Sequence, residues 1–379
     1  MKIPEEQKGE KKPHGIIKVV CVNLLLIMGV LILAELIWGT WLNPNSWKSV
    51  CRYVLCDADL DSIHLINGME ARVRYTKDEF GLRGRRKPTG EIDILVVGGS
   101  TTDQRLVDDE HTWDHLLEER FLASGDDIDV VNAGIDGQSS RGHIWNFTNW
   151  FPLIEGFAPK YVLFYLGIND IPPQESAGTY DNDLRDLSIK RKIKTWIKQR
   201  SISFEVYKLI KGMLAAEKMN VGHSEDRRQL TYGEPFRLDK NDWDFYQTTY
   251  LKGQLVPRLR RLAALTKKIG AQPIFVTQRT ARWLERDGFL FGLKGGNQAP
   301  YVYQGKKFTF NYADIGYAER LISEHILMFC QKEGLACLNG YSEIHLDRNN
   351  TYDLVHTTAN GSQEIAKAVY RFLRKLNIK

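Results

Sequence analysis

Ile92-Asp93-Ile94-Leu95-Val96-Val97-Gly98-Gly99-Ser100-Thr101-Thr102 is the stretch whose reading decides the fold. An apolar run with β-branched residues stops at two glycines and a hydroxyl cluster, which is how a buried strand ends in a tight turn. Runs of the same kind recur at Ile128–Gly134, Tyr161–Gly167, Gln272–Gln278 and Leu335–Gly340. Helical patterns separate them: His111–Leu122, Gly142–Phe151, Tyr246–Lys268 and Ala318–Lys332, with Gly361–Leu376 last. Short buried strands alternating with helices predict a parallel sheet covered on both faces. In such sheets the reactive groups collect where strands end at their carboxyl edge.

Four segments at such edges or beyond them carry chemistry. Gly98-Gly99-Ser100-Thr101-Thr102 offers a hydroxyl. Asn132-Ala133-Gly134-Ile135-Asp136-Gly137 offers glycine at a strand exit, and Gly167-Ile168-Asn169-Asp170 offers a side-chain amide at another. Asp353-Leu354-Val355-His356 places a carboxylate and an imidazole three residues apart. Acyl transfer through serine needs a nucleophile, a base, a carboxylate that orients the base, and donors for the developing oxyanion. The expected assignment is Ser100 as nucleophile, His356 as base and Asp353 as its partner. The oxyanion donors are the backbone N–H of Ser100, the backbone N–H of Gly137 and the Asn169 amide. For Ser100 the competing reading is a helix cap, for Asp353 a cap, and for His356 a surface residue. Gly134 competes with Gly137, and Asp170 is read as a brace for the Asn169 loop. His111, His115, His143 and His345 lack a comparable setting.

The order and residue types of these segments resemble the SGNH (GDSL-type) hydrolase superfamily, over about residues 92–175 and 270–375. Ser100, Gly137, Asn169 and His356 stand at the four positions that name it. The resemblance implies a flavodoxin-like three-layer α/β/α sandwich with a five-stranded parallel sheet, and it supports Gly137 over Gly134. One departure is visible: the family's Gly-Asp-Ser reads Gly98-Gly99-Ser100 here. The Gly-Gly-Ser-Thr-Thr form, with Phe80-Gly81-Leu82-Arg83-Gly84 upstream, is similar to membrane-anchored bacterial members. The Gly-x-Ser-x-Gly elbow of α/β-hydrolases is absent from this segment.

Composition narrows the remaining options. The 379 residues carry a net charge of +5, with no zinc-finger, RNA-binding or helix-turn-helix signature, so no nucleic-acid partner is expected. No phosphate loop, dinucleotide fingerprint or metal-ligand spacing occurs, so no cofactor is implied. Cys51 with Cys56, and Cys330 with Cys337, are spaced either for local disulfides or as free buried thiols.

Residues 1–18 are read as a cytoplasmic tail, 19–38 as a transmembrane signal anchor, 39–90 as a linker and lead-in, and 91–379 as the hydrolase domain. Twenty residues at ~1.5 Å each span ~30 Å, one bilayer core. Lys2, Lys8, Lys11, Lys12 and Lys18 precede this stretch, whereas only Lys48 and Arg52 follow within a similar distance. The positive-inside rule then puts the catalytic domain outside the cytoplasm, periplasmic in a Gram-negative cell. Trp38-Gly39-Thr40-Trp41 suits an interface anchor better than a cleavage site, and Glu35 is expected near the outer headgroups. Within 176–245, Lys190, Arg191, Lys192, Lys194, Lys198 and Arg200 crowd around apolar residues at helical spacing. That basic helical insertion is open to three readings: a solvated helix packed on the domain, a lid, or a membrane-surface contact.

The expectation is a membrane-anchored serine esterase acting on O-acetyl or other acyl groups of cell-envelope or exported glycans. Three alternatives stay open at this point. A sugar hydroxyl in place of water gives an O-acyltransferase; a greasy insertion gives a lipid-directed esterase; and loss of catalysis gives a scaffold among polysaccharide-assembly proteins.

Overall fold

The computed structural model describes residues 14–38, 41, 56–60, 72–78, 80–84, 92–154, 156–173, 181, 197, 201–204, 206–207, 231–295 and 300–378. These fall into two compact units: one within Met1–Ser49 and Ser188–Ala215, the other within Val50–Leu187 and Ala216–Lys379.

The first unit is built on helix α1, His14–Trp38. Its Lys18–Ile37 portion is long and apolar enough to cross a membrane, and a signal sequence has the same character. Its aliphatic side chains are exposed, from Val19 through Ile37. Glu35 interrupts this face, and its carboxylate is fully engaged. It accepts hydrogen bonds from Ser201 Oγ (2.7 Å), the amides of Ile202 and Ser203 (3.0 Å each) and Trp41 Nε1 (2.9 Å). An apolar helix tolerates a carboxylate where such donors replace water. The basic residues Lys190, Arg191, Lys192, Lys194, Lys198 and Arg200 of the insertion lie outside the described residues.

The second unit opens with an antiparallel pair, β1 (Cys56–Leu60) and β2 (Val73–Lys77). There follow β3 (Ile92–Gly98), the four-residue helix α2 (Ser100–Asp103), α3 (Trp113–Ala123), β4 (Val130–Asn132), α4 (Ser140–Asn149) and β5 (Pro159–Leu166). After the insertion come β6 (Tyr232–Glu234), α5 (Lys240–Phe245), a π-helical stretch (Tyr246–Leu255) and α6 (Val256–Lys268). Then follow β7 (Gln272–Thr277), β8 (Trp283–Arg286), β9 (Phe289–Leu293), β10 (Tyr301–Tyr303) and β11 (Lys306–Phe308). The last elements are α7 (Tyr312–Glu333), β12 (Ala336–Leu338), α8 (Gly340–Glu343) and α9 (Ala359–Lys375).

The main sheet has five parallel strands in the order β12-β7-β5-β3-β4. Along the chain this is order 2-1-3-4-5, the doubly wound flavodoxin-like arrangement. Alternation along β3 explains the three layers. Leu95 and Val97 point to one side, with Phe164 and Phe275, under α4, α6 and α7. Ile94 and Val96 point to the other, with Tyr165 and Val276, under α3 and α9. All four of these β3 residues have no exposed surface, so the strand from Ile94 to Val97 is apolar on both faces. Burying each such side chain stabilises by ~1.5–3 kcal/mol.

Edges differ from the sequence expectation for physical reasons. The strand at 128–134 shortens to Val130–Asn132, the last strand of the main sheet, paired with β3 on one side and bridged by Arg83 at Asn132. Helix α7 starts six residues before the expected Ala318, because Asn311 and Asp314 form a capping box there. The small sheet β6-β9-β8 and the hairpin β10-β11 were not legible, since their runs are short. Cys330 and Cys337 form a disulfide across the turn between α7 and β12, with Cα atoms 6.2 Å apart. Cys51 lies outside the described residues.

The stretch before β3 packs firmly. Lys77 and Arg83 are buried, and Lys77 Nζ lies 3.1 Å from Asp103 Oδ1. Arg83 Nε bonds Asp109 at 2.9 Å, and its guanidinium donates to the carbonyls of Asp103 and Val107. Tyr75 O–H donates to Asp103 at 2.9 Å. Removing one partner from a buried ion pair strands the other, at ~3–5 kcal/mol. This cluster therefore braces α2 from beneath.

Backbone proximity generates a direct prediction. A Cβ on Gly134 would sit 2.4 Å from the Asp103 amide nitrogen and 2.7 Å from the Thr102 carbonyl carbon. Gly134→Ala should lower unfolding free energy by ~1–3 kcal/mol. Gly253→Ala, whose nearest neighbour would be 3.9 Å away, should raise it by ~0.5–1 kcal/mol. Denaturant melts of the two variants decide; equal midpoints would contradict the close approach.

Candidate active site

Strand β3 delivers Ser100 to the carboxyl edge of the sheet. Gly98 and Gly99 make the exit, and neither position has room for a side chain. A Cβ on Gly98 would meet Thr102 Oγ1 at 2.1 Å and the Tyr165 carbonyl oxygen at 2.8 Å. One on Gly99 would meet Asn169 Nδ2 at 2.3 Å and the Gln138 carbonyl oxygen at 3.0 Å. An aspartate at position 99 has no space beside Asn169 as placed here, which gives Gly98-Gly99-Ser100 its physical reason. Ser100 then opens α2, and its neighbours Thr101, Thr102 and Asp103 are buried.

His356 comes from the loop before α9. That loop is closed by the Thr351–Thr357 bridge and by the Tyr352 amide donating to the His356 carbonyl (2.9 Å). Inside it, Asp353 Oδ1 accepts the amides of Val355 (3.0 Å) and His356 (2.7 Å). Asp353 Oδ2 lies 2.6 Å from His356 Nδ1, and His356 Nε2 lies 2.7 Å from Ser100 Oγ. With the ring proton on Nδ1, the imidazole donates to Asp353 and accepts from the serine hydroxyl. Leu354 makes the turn in the left-handed region, at φ 71°. For a leucine that conformation costs ~1–3 kcal/mol. Its side chain, buried against Ala281 and Leu293, and its carbonyl, bonded by the Ala281 amide at 2.8 Å, hold it there. The Tyr352 ring stacks on the imidazole, with centroids 5.6 Å apart.

Burial alone pushes the Asp353 carboxyl up. The His356 ring and the amides of His356 and Val355 outweigh it and hold the group at about 2. The carboxylate is therefore charged at neutral pH and steadies the imidazole.

The three expected oxyanion donors lie on separate strand exits. Among the described residues neither the Ser100 nor the Gly137 amide donates a hydrogen bond. Gly137 takes φ 75°, which turns the chain after β4, and Gly167 takes φ 136° after β5. Asn169 Nδ2 donates one hydrogen bond, to the Gln138 carbonyl at 2.9 Å. That contact ties the β5 exit to the β4 exit and leaves the second amide proton for a ligand. Asp170 does not face this point. It is buried and accepts from Ser140 Oγ at 2.6 Å, with Arg258 at 3.4 Å, so it braces α4 against the Asn169 turn. Burial raises its carboxyl above the ordinary value, against the Arg258 charge and the Ser140 hydroxyl.

Three glutamines complete the frame and were missed in the sequence. Gln278 Nε2 donates to Thr101 Oγ1 (2.8 Å), and its Oε1 accepts the Ile168 amide (3.1 Å). Gln104 Nε2 donates to Thr357 Oγ1 (2.7 Å) and Ser362 Oγ (2.6 Å), tying the nucleophile helix to the histidine loop. Gln138 and Asn146 exchange amide bonds at 3.0 and 2.8 Å. Gln278 ends the β7 run as Asn169 follows β5; a polar side chain at a strand exit was the available signal. Gln104 and Gln138 carried none.

No group of three or more metal-ligating side chains occurs among the described residues. The arrangement can move a proton from a serine hydroxyl to an imidazole held by a carboxylate, beside three N–H donors.

The Asp353 contacts set a pH dependence of stability. Its folded value lies below the ordinary carboxyl value of ~3.9, so the ionised form favours the folded state. That contribution is complete at neutral pH and is lost as pH falls from about 4 towards 2. Asp353→Asn should therefore melt below wild type near pH 7, with the gap shrinking below pH ~4. A gap that widens on acidification would contradict the assignment.

No protein-family model matches the chain, and no curated protein matches it. Among solved structures the chain is similar to the psychrotrophic esterase EstA from Pseudoalteromonas sp., at 14% identity and TM-score 0.38, covering 76% of this chain and 99% of that one. It is similar to Axe2, an acetylxylan esterase from Geobacillus stearothermophilus, at 14% identity and TM-score 0.40, covering 74% and 94%. It is also similar to TesA, at 16% identity and TM-score 0.39, covering 75% and 99%. The chemistry of the site rests on its own atoms.

Proposed function

We propose that this chain is a serine esterase of SGNH type, anchored in a membrane by α1 and acting on acyl groups, acetyl foremost, of cell-envelope or exported glycans. The observation that carries the reading is the unbroken line Ser100 Oγ–His356–Asp353, at 2.7 and 2.6 Å, with the Asn169 amide beside Gly99. In this reading Ser100 Oγ attacks the ester carbonyl carbon while His356 Nε2 takes its proton. The carbonyl oxygen gains charge and is met by the Ser100 and Gly137 amides and Asn169 Nδ2. Collapse breaks the bond to the leaving alcohol, which receives the proton from His356. Water then attacks the acyl-serine, again giving its proton to His356. The second collapse releases the carboxylic acid and returns the proton to Ser100.

The glycan and the location rest on the anchor reading. The lysines before α1 favour a cytoplasmic N-terminus and a catalytic unit outside the cytoplasm, periplasmic in a Gram-negative cell. The aromatic exit around Trp38 and Trp41 supports retention in the bilayer over cleavage.

Ser100→Ala and His356→Ala should each abolish p-nitrophenyl acetate hydrolysis in a folded protein; wild-type turnover by either would refute the triad. Asn169→Ala should lower kcat by ~10²–10³, or about 2.7–4 kcal/mol of barrier, with KM changing far less. A stable variant losing less than about threefold would remove Asn169 from the oxyanion site. Alkaline phosphatase fused after Lys379 should be active in cells. Activity only from a cytoplasmic reporter would reverse the topology.

A further inference from the structure

Four donors close on one carboxylate near the end of helix α1. Glu35 stands three residues before the last helical residue, Trp38. At ~1.5 Å per residue that is ~4.5 Å from the helix end, the level of the headgroups for a spanning α1. Ser201 Oγ and the Ser203 amide donate to Glu35 Oε1, at 2.7 and 3.0 Å. The Ile202 amide and Trp41 Nε1 donate to Oε2, at 3.0 and 2.9 Å. Three of the four donors lie 166 to 168 residues further along the chain.

That segment is stiff where it meets Glu35. The Ser201 amide bonds the Ile197 carbonyl at 3.0 Å, and the Phe204 amide bonds Ser201 Oγ at 3.1 Å. Ile202, Ser203 and Phe204 are helical, so the amides of Ile202 and Ser203 sit in a first turn and have no partner within their own helix. Glu35 supplies that partner, and they supply what a carboxylate in an apolar helix lacks.

The side chains around this clamp are apolar and exposed. Ile197, Val206 and Tyr207 are exposed, as are Leu33, Leu36 and Ile37 of α1. The Phe204 and Tyr207 rings lie 6.1 Å apart. Aliphatic and aromatic residues so placed gain nothing from water, and they suit the interface of a bilayer, where aromatic rings collect. Charge points the same way. Ser188–Ala215 carries eight lysines and arginines against one acid, Glu205. Apolar residues joined to many cations bind the surface of an anionic bilayer. A soluble protein partner would account for the apolar residues but not for their attachment to the end of a span.

We propose that the 197–207 segment is a second membrane contact: clamped to Glu35 through Ser201, Ile202 and Ser203, it lies in the bilayer surface, with Ile197, Val206 and Tyr207 at the acyl boundary and the neighbouring cations on anionic phospholipid headgroups. This inference rests on the reading of α1 as a retained anchor. It does not depend on the esterase reaction.

The test uses the full chain in nanodiscs of phosphatidylcholine, alone or mixed with phosphatidylglycerol. Both carry a trace of phospholipid with a diazirine at the upper end of its acyl chain. After irradiation, peptide mapping should find lipid adducts on α1 and on 197–207, those on α1 being the internal measure of anchoring. Phosphatidylglycerol should raise the yield on 197–207, relative to α1, by about tenfold, and added salt should reverse the rise. Glu35→Ala should lower the same ratio at least roughly threefold by releasing the clamp. Val206→Ser with Tyr207→Ser, both at exposed positions, should lower it by a similar factor with no change in melting temperature. Equal yields in the two discs would overturn the anionic headgroup. Adducts on α1 alone, or a ratio unmoved by Glu35→Ala and by the serine pair, would overturn the contact and leave the anchor standing. Adducts on neither segment would sink the anchor, and the second contact with it.

Discussion

Gly98 and Gly99 stand where three strand exits meet and no side chain fits. The Tyr165 carbonyl presses on Gly98, and the Asn169 amide and the Gln138 carbonyl press on Gly99. Everything proposed for the site depends on this approach. It sets Ser100 at the head of α2, beside an amide from the β5 exit and the turn after β4. A β-carbon on Gly98 would press on the Tyr165 carbonyl at 2.8 Å, and one on Gly99 would displace the Asn169 amide, which it would meet at 2.3 Å.

Residues 256 positions apart then complete the line from Ser100 to His356. Such a contact holds only if both partners are fixed from behind. Gln104 and Gln278 do this from opposite sides, one reaching Thr357 beside the histidine, the other reaching Thr101 beside the serine. Asp353 fixes the imidazole from below, and the left-handed Leu354 is the conformational cost of bending the loop that tightly. Local strain at such a position is tolerable where packing over-determines it, as the buried leucine side chain does here.

The sheet was legible because its physics is local. Five apolar runs with alternating helices point to parallel pairing covered on both faces, whereas the flavodoxin-like arrangement came only with the family resemblance. The serine, the Asp353–His356 pair and Asn169 stood out because each is a reactive type at a strand end or on a tight loop; the structure puts Ser100, His356 and Asp353 within hydrogen-bond reach of one another, and bonds the Asn169 amide to the Gln138 carbonyl. What stayed hidden is held by distance. Lys77, Arg83 and Asp103 look like surface charges in sequence, yet they pair in the interior. Gln104 gives no sign of reaching Ser362, 258 residues on. Glu35 reads as an odd acid in an apolar helix until Ser201, Ile202 and Ser203 are seen to cap it.

The central claim is that the Ser100 hydroxyl is activated by His356 to attack an acyl carbon. A fluorophosphonate reacts far faster with a serine so activated than with an ordinary hydroxyl. Intact-mass measurement and peptide mapping after exposure to such a probe test the claim most directly. The account predicts one adduct per chain, on the peptide carrying Gly98-Gly99-Ser100, and its absence from His356→Ala. An unlabelled wild-type protein, or an adduct on another residue, would contradict it.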